Sequence, residues 1–191
     1  MSSNLTSTSG TSKSTYLKSQ ITKLEDLDGL KVTIMGLGLN GGGLASAAFF
    51  ARHGAHVTVT DTKDAEALSS SLQALEGLPI RYVLGKHEMA DFENADMIIK
   101  NPAVRSDSPY LKTRADIETD ISIFLRLSHA RILAVTGSKG KSTVASALYH
   151  GLSSSGRKAF LGGNITVSPL SFLEEADEQS TVVLELSSWQ L

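Results

Sequence analysis

Arg131-Ile132-Leu133-Ala134-Val135-Thr136-Gly137-Ser138-Lys139-Gly140-Lys141-Ser142-Thr143 runs from a strand-like apolar stretch through a glycine turn into a helix pattern carried by Ala145, Leu148, Tyr149 and Leu152. Such a junction aims free backbone N–H groups and the positive end of a helix dipole at one spot, which suits a polyphosphate. The usual loop of this kind has its first glycine where Val135 stands, so the match is partial. The remaining roles are all filled. Gly140 lets the backbone approach a phosphate, Lys141 would neutralise the β and γ oxygens of ATP, and the Ser142 hydroxyl would bind Mg2+. A glycine-rich helix cap with a solvated lysine is the bland alternative; the strand before it and the helix after it argue against that.

About a hundred residues upstream, Lys31-Val32-Thr33-Ile34-Met35 leads into Gly36-Leu37-Gly38-Leu39-Asn40-Gly41, a G-x-G-x-x-G. A helix pattern follows at Leu44, Ala47, Ala48 and Ala51, with Gly54 as its stop. The next strand, His56 to Thr60, ends on Asp61, twenty residues past Gly41, where a nucleotide's ribose or base would lie. On residues alone this reads as NAD binding, or as a doubly wound domain whose glycines serve only tight packing.

Strands and helices alternate from Leu24 onward, the mark of an α/β fold with a parallel sheet covered on both faces. A helix is predicted over residues 65–75 from Leu68, Leu72 and Leu75, strands at Ile80–Leu84 and Met97–Lys100, and a linking stretch at Ile117–Leu127. Asn101-Pro102-Ala103 opens a proline-punctuated loop at a strand's carboxyl end, where open sheets bind ligands. Lys158 to Leu161 and Thr181 to Leu186 read as further strands. Glu185 interrupts the last of these, and burying a lone carboxylate is costly enough to require a partner, plausibly Mg2+ beside a phosphate loop. The alternative is an edge-strand acid facing water.

Of 191 residues, 41% are hydrophobic, and 18 basic side chains face 20 acidic ones for a net charge of −2. That balance provides no basic field for nucleic acid. The absence of cysteine excludes disulfides, thiolate metal sites and a cysteine nucleophile, and fits a cytoplasmic location. Residues 1–20 form a Ser/Thr-rich leader whose composition predicts disorder. No segment approaches the roughly eighteen apolar residues of a membrane span.

Thr136 to Thr143, Gly162-Gly163-Asn164-Ile165 and Glu185-Leu186-Ser187-Ser188-Trp189-Gln190-Leu191, in this order and spacing, resemble the Mur ligases of peptidoglycan synthesis. With Gly36-Leu37-Gly38-Leu39 and Asp61-Thr62 upstream, the resemblance is to the MurD type. It implies a Rossmann-like UDP-substrate-binding domain at 21–119, followed from 120 to 191 by the first part of a P-loop-type ATP-binding central domain. In that reading the first loop takes a UDP group, not NAD. Gly38, Leu39, Asn40, Asp61, Thr62, Lys63, Asn101, Pro102, Ala103 and Asn164 match substrate-binding positions. Gly137, Ser138, Lys139, Gly140, Lys141, Ser142 and Thr143 match the ATP loop, with Lys141 catalytic and Ser142 and Glu185 holding Mg2+.

The implied reaction is ATP-dependent addition of D-glutamate to UDP-N-acetylmuramoyl-L-alanine through an acyl phosphate, by a cytoplasmic monomer. Departures from the family pattern fall at Asn101 and Ala103, where Ser-Pro-Gly is usual, at Ser138 in place of Thr, and at Thr166 in place of Gly. The chain is expected to be the N-terminal part of a longer ligase, inactive by itself. Its second half is expected to be weakly protected, because Thr181 to Leu186 would lack cover on one face and leave Trp189 exposed. Other readings stay open: a stand-alone NAD or UDP-sugar module, a small P-loop kinase, or a Mur ligase of different amino-acid specificity.

Overall fold

The computed structural model describes residues 21–38, 41–102, 104–113, 115–164 and 167–187. The predicted leader disorder, and the site expectations for Leu39, Asn40, Ala103 and Thr166 and for Trp189, lie outside these residues.

Among the described residues, eight strands form two all-parallel sheets. The first has the order β3-β2-β1-β4-β5, from β1 (Lys31–Met35), β2 (His56–Asp61), β3 (Ile80–Leu84), β4 (Met97–Lys100) and β5 (Asp116–Glu118). The chain winds outward through β2 and β3, then crosses back to β4 on the other side of β1. The crevice between the carboxyl ends of β1 and β4 is therefore the topological switch point of the sheet. The second sheet has the order β6-β8-β7, from β6 (Arg131–Val135), β7 (Ala159–Gly163) and β8 (Thr181–Glu185).

Five α-helices accompany the strands among the described residues: α1 (Gly42–Arg52), α2 (Ser69–Ala74), α3 (Met89–Glu93), α4 (Asp120–Leu127) and α5 (Lys141–Ser154). Helix α4 is capped by Thr119, whose side chain accepts from the Ser122 N–H while the Ser122 hydroxyl accepts from the Thr119 N–H, satisfying two of the free donors at the helix start. One apolar core runs through both sheets. Phe50 of α1, Phe124 of α4, and Val182 and Leu184 of β8 are all buried within it, together with Phe172 from the 3-10 turn Pro169–Phe172. Phe172 meets Phe124 edge-on at 5.7 Å and stacks on Phe160 at 5.0 Å, so this turn joins the second sheet to α4.

Three expectations are corrected. The helix expected over residues 65–75 is confined to Ser69–Ala74, and Leu68 and Leu75 are buried at its two ends rather than along one stripe. The stretch 117–127 is not a link: Asp116–Glu118 pairs with β4 as an edge strand before α4 begins. The final strand is not bare. All five residues of β8 are buried because β6 and β7 flank it, α5 packs on one face, and the shared core takes Val182 and Leu184 on the other. Exposure falls on β6 instead, where Arg131 and Ala134 are open to solvent.

Candidate nucleotide sites

At the carboxyl end of β1, Gly36 and Gly38 adopt φ of 90° and 65°, conformations that favour glycine. A Cβ on Gly36 would also stand 3.2 Å from Asn101 Cβ, because the turn after β4 packs against this loop. Asp61 ends β2 and is buried. Its Oδ2 accepts from the N–H groups of Leu37 (2.9 Å) and Gly38 (3.2 Å), and its Oδ1 from Lys63 N–H (2.9 Å). The carboxylate thus spends most of its acceptor capacity on its own protein. The Ser71 hydroxyl of α2 donates to the Gly38 carbonyl at 3.0 Å, completing the tie.

Thr62 and Lys63 are exposed beside Asp61, and Asn101 and Pro102 are half-buried across the crevice, so the described residues predicted for the first site lie together at the carboxyl ends of β1, β2 and β4, except Asn164, which follows β7 at the second sheet and does not join them. Sequence reading missed four that shape it. Gly43 of α1 lets the helix approach until an added Cβ would overlap the carbonyl oxygens of Gly36 and Leu37. It, rather than Gly41, serves as the close-packing glycine of the motif, and its place in a run of three glycines was the available signal. Ser71, Lys100 and His87 carried no motif. His87 lies 2.7 Å from the Thr60 hydroxyl and edge-on to the rings of Phe92 and Tyr110. Burial pushes its pKa below the ordinary histidine value, with the nearby Asp61 charge opposing.

The second site follows the same plan with different bonding. Gly137 has φ 150°, Gly140 caps α5 in the left-handed region at φ 78°, and Lys141 folds back so that Nζ donates to the Gly137 carbonyl at 2.9 Å. Ser138, Lys139, Ser142 and Thr143 are exposed around it. Glu185 closes β8, the central strand of its sheet, in register with Val135 and Gly163. This position removes the edge-strand alternative. Val182 and Leu184 belong to the shared core, so strand alternation turns Glu185 to the opposite face, toward α5. It is buried, and its Oε2 has no hydrogen-bond partner among the described residues. Asn164 is exposed next to it, its N–H donating to the Glu185 carbonyl at 2.9 Å. A Cβ on Gly163 would overlap that same carbonyl, which makes glycine obligatory there.

No cluster of three or more histidine, cysteine or acidic side chains exists among the described residues. One orphaned buried carboxylate oxygen near a helix start fits a cation completed by phosphate oxygens and water, the usual manner of Mg2+ binding.

The fold and these two junctions define an α/β protein built from two parallel sheets, each with a strand–glycine turn–helix site of the kind that holds phosphates. Residues 30–123 match the Mur ligase MurD-like N-terminal domain. The chain belongs to the Mur ligase family, MurD type. It is 56% identical over 171 residues to the UDP-N-acetylmuramoylalanine--D-glutamate ligase of Treponema pallidum, covering 86% of this chain and 32% of that relative. The ligase of the same name from Borreliella afzelii is 49% identical over 171 residues, covering 88% and 38%. Among solved structures, a pseudomurein peptide ligase type C from Methanothermus fervidus aligns with 85% of this chain and 34% of that one, at 21% identity and a TM-score of 0.43. The chain spans about a third of the length of the curated relatives it matches.

Proposed function

We propose that this chain provides the substrate-binding unit (residues 21–119) and the start of the ATP-binding unit (from residue 120) of a cytoplasmic, monomeric ligase that joins D-glutamate to UDP-N-acetylmuramoyl-L-alanine. The observation that carries the proposal is the pairing of two phosphate-type junctions on one core with a buried Glu185 beside the second, whose Oε2 has no hydrogen-bond partner among the described residues. ATP supplies the phosphoryl group that activates the substrate carboxylate for attack by the amine. Within this chain, Lys141 neutralises developing charge on the transferring phosphate, the α5 N-terminus offers its N–H groups, and Ser142 and Glu185 would hold Mg2+. Electrostatic positioning of this kind is most of what phosphoryl transfer requires of a protein.

At the first site the UDP group lies over the Gly36–Gly38 turn, with Asp61 shaping the loop and Thr62, Lys63, Asn101 and Pro102 lining the crevice. The NAD reading needs an acid at the end of β2 to hold ribose hydroxyls. Three backbone N–H groups already occupy Asp61, which weakens that reading. Calorimetry decides between them. UDP-N-acetylmuramoyl-L-alanine or UDP should bind the chain, whereas NAD binding without a UDP response sinks the proposal. ATP with Mg2+ should raise the melting temperature; a nucleoside acceptor that does so instead would favour a kinase.

A further inference from the structure

Lys100 ends β4 directly opposite Met35 of β1, at the switch-point crevice. Its Nζ donates to the Val104 carbonyl at 2.8 Å, across a turn closed by the Val104 N–H on the Asn101 carbonyl at 2.9 Å. The same turn is tied to the first loop from the other side. The Asn101 N–H donates to the Met35 carbonyl at 3.1 Å, and the side chains of Asn101 and Val104 stand 3.2 and 3.6 Å from where a Cβ on Gly36 would be. The ammonium is partly buried, and desolvation holds its pKa below the ordinary lysine value, with no carboxylate among the described residues offsetting that cost. A desolvated cation spent on a single backbone carbonyl is an expensive way to hold a surface turn, unless the turn's position matters.

We infer that Lys100 is a positioning residue of the first site: by clamping the Val104 carbonyl it fixes the Asn101–Val104 turn against Gly36 and so sets one wall of the crevice that receives the UDP group. The inference rests on the UDP reading of that crevice.

The test uses the 191-residue chain, with UDP as the calorimetric probe and hydrogen exchange as a ligand-free readout. Lys100→Met should leave the melting temperature nearly unchanged, speed exchange of the Val104 amide, and weaken UDP binding roughly tenfold, the scale of one charge-assisted hydrogen bond. Lys100→Arg, which keeps the cationic donor, should recover most of both losses. A wild-type chain that ignores UDP defeats the UDP reading, while the Val104 exchange still reports on the clamp. A wild-type chain that binds UDP beside a Lys100→Met chain that binds equally tightly, or whose Val104 amide exchanges no faster, overturns the clamp. So does a loss of protection spread across β1 and β4, which marks a merely structural lysine. Should Lys100→Met fail to fold, Lys100→Gln, whose neutral donor falls short of Val104, takes its place with the same deciding outcomes.

Discussion

The two glycine turns share a plan and differ in what satisfies them. The first is closed by the protein itself: Asp61 takes the N–H groups of Leu37 and Gly38, Ser71 holds the Gly38 carbonyl, and α1 presses against Gly36 and Leu37 through Gly43. The second is open. No described residue lies within 4 Å of a Cβ placed on Gly140, Lys141 rests on its own loop carbonyl in solvent, and the nearby Glu185 has an oxygen with no partner among the described residues. A turn that its own fold completes presents a fixed shape to a ligand, whereas one left incomplete awaits the charge of its ligand. Substitutions at the first should therefore register mainly as stability, and at the second mainly as ligand binding and turnover.

The largest expected effect is at Lys141. Grafted into a full-length ligase of the family, Lys141→Ala should lower turnover by about 10³-fold or more, the scale of removing a preorganised transition-state charge contact. The stability of the 191-residue chain should change by no more than ~0.5 kcal/mol, since the lysine's bond to Gly137 is exposed. Near-normal turnover, or a large stability loss, would erase the distinction between the turns.

A pair of glycine substitutions reverses the pattern. Gly43→Ala drives a methyl group into two backbone carbonyls that cannot retreat without moving β1, and should destabilise the chain by about 3 kcal/mol in urea unfolding. Gly140→Ala meets open space and carries only left-handed backbone strain, about 1–2 kcal/mol. Equal costs would mean that the first turn is not the tighter one.

How much of this was legible beforehand follows from the range of the interactions. Strand–turn–helix order is a local matter of apolar runs and glycines, so β1, β3, β4 and both turns could be read from the residues. The brief β5 could not: Asp116-Ile117-Glu118 has no strand composition, and its pairing comes from β4 alone. Cover for β8 was equally hidden, because it comes from residues distant in sequence, Phe124 and Phe172 among them. Glu185 was legible as an acid in an apolar run, but its central position required the strand order β6-β8-β7. Asp61 is legible as a strand-end acid, and its spacing from the glycines predicts that it faces a nucleotide. That its carboxylate turns into its own loop depends on where three N–H groups point, and no spacing rule encodes that.

Glu185 gives an effect of changing sign. In metal-free buffer Glu185→Gln should leave the chain as stable as wild type or stabler by about 1–2 kcal/mol, because a buried carboxylate oxygen without a partner is replaced by a neutral amide. Added Mg2+ with ATP should raise the melting temperature of wild type and not of the variant. A variant that responds to Mg2+–ATP as wild type does would show that Glu185 takes no part in the second site.

The smallest effect is a pH dependence that belongs to the first crevice. His87 contacts Thr60 at 2.7 Å and the rings of Phe92 and Tyr110, on a loop that also carries the Lys86–Glu88 ion pair, and the charge of Asp61 acts on it. Its burial depresses the folded-state pKa below the unfolded value of about 6.5, so the fold favours the neutral ring. Above that value both states are neutral and no penalty exists. As pH falls through ~6.5, the unfolded chain takes up the proton first, and stability declines until the folded-state pKa is reached. Urea midpoints measured at pH 8 and near pH 5.5 should therefore fall further in wild type than in His87→Gln, where the other histidines still titrate and cancel in the difference. Asp61→Asn should enlarge the decline relative to its own value at pH 8, because the charge that partly offsets the desolvation of His87 is gone. The same pH dependence in wild type and His87→Gln would mean that the ring is effectively solvated, and that the first crevice is less closed than its bonding indicates.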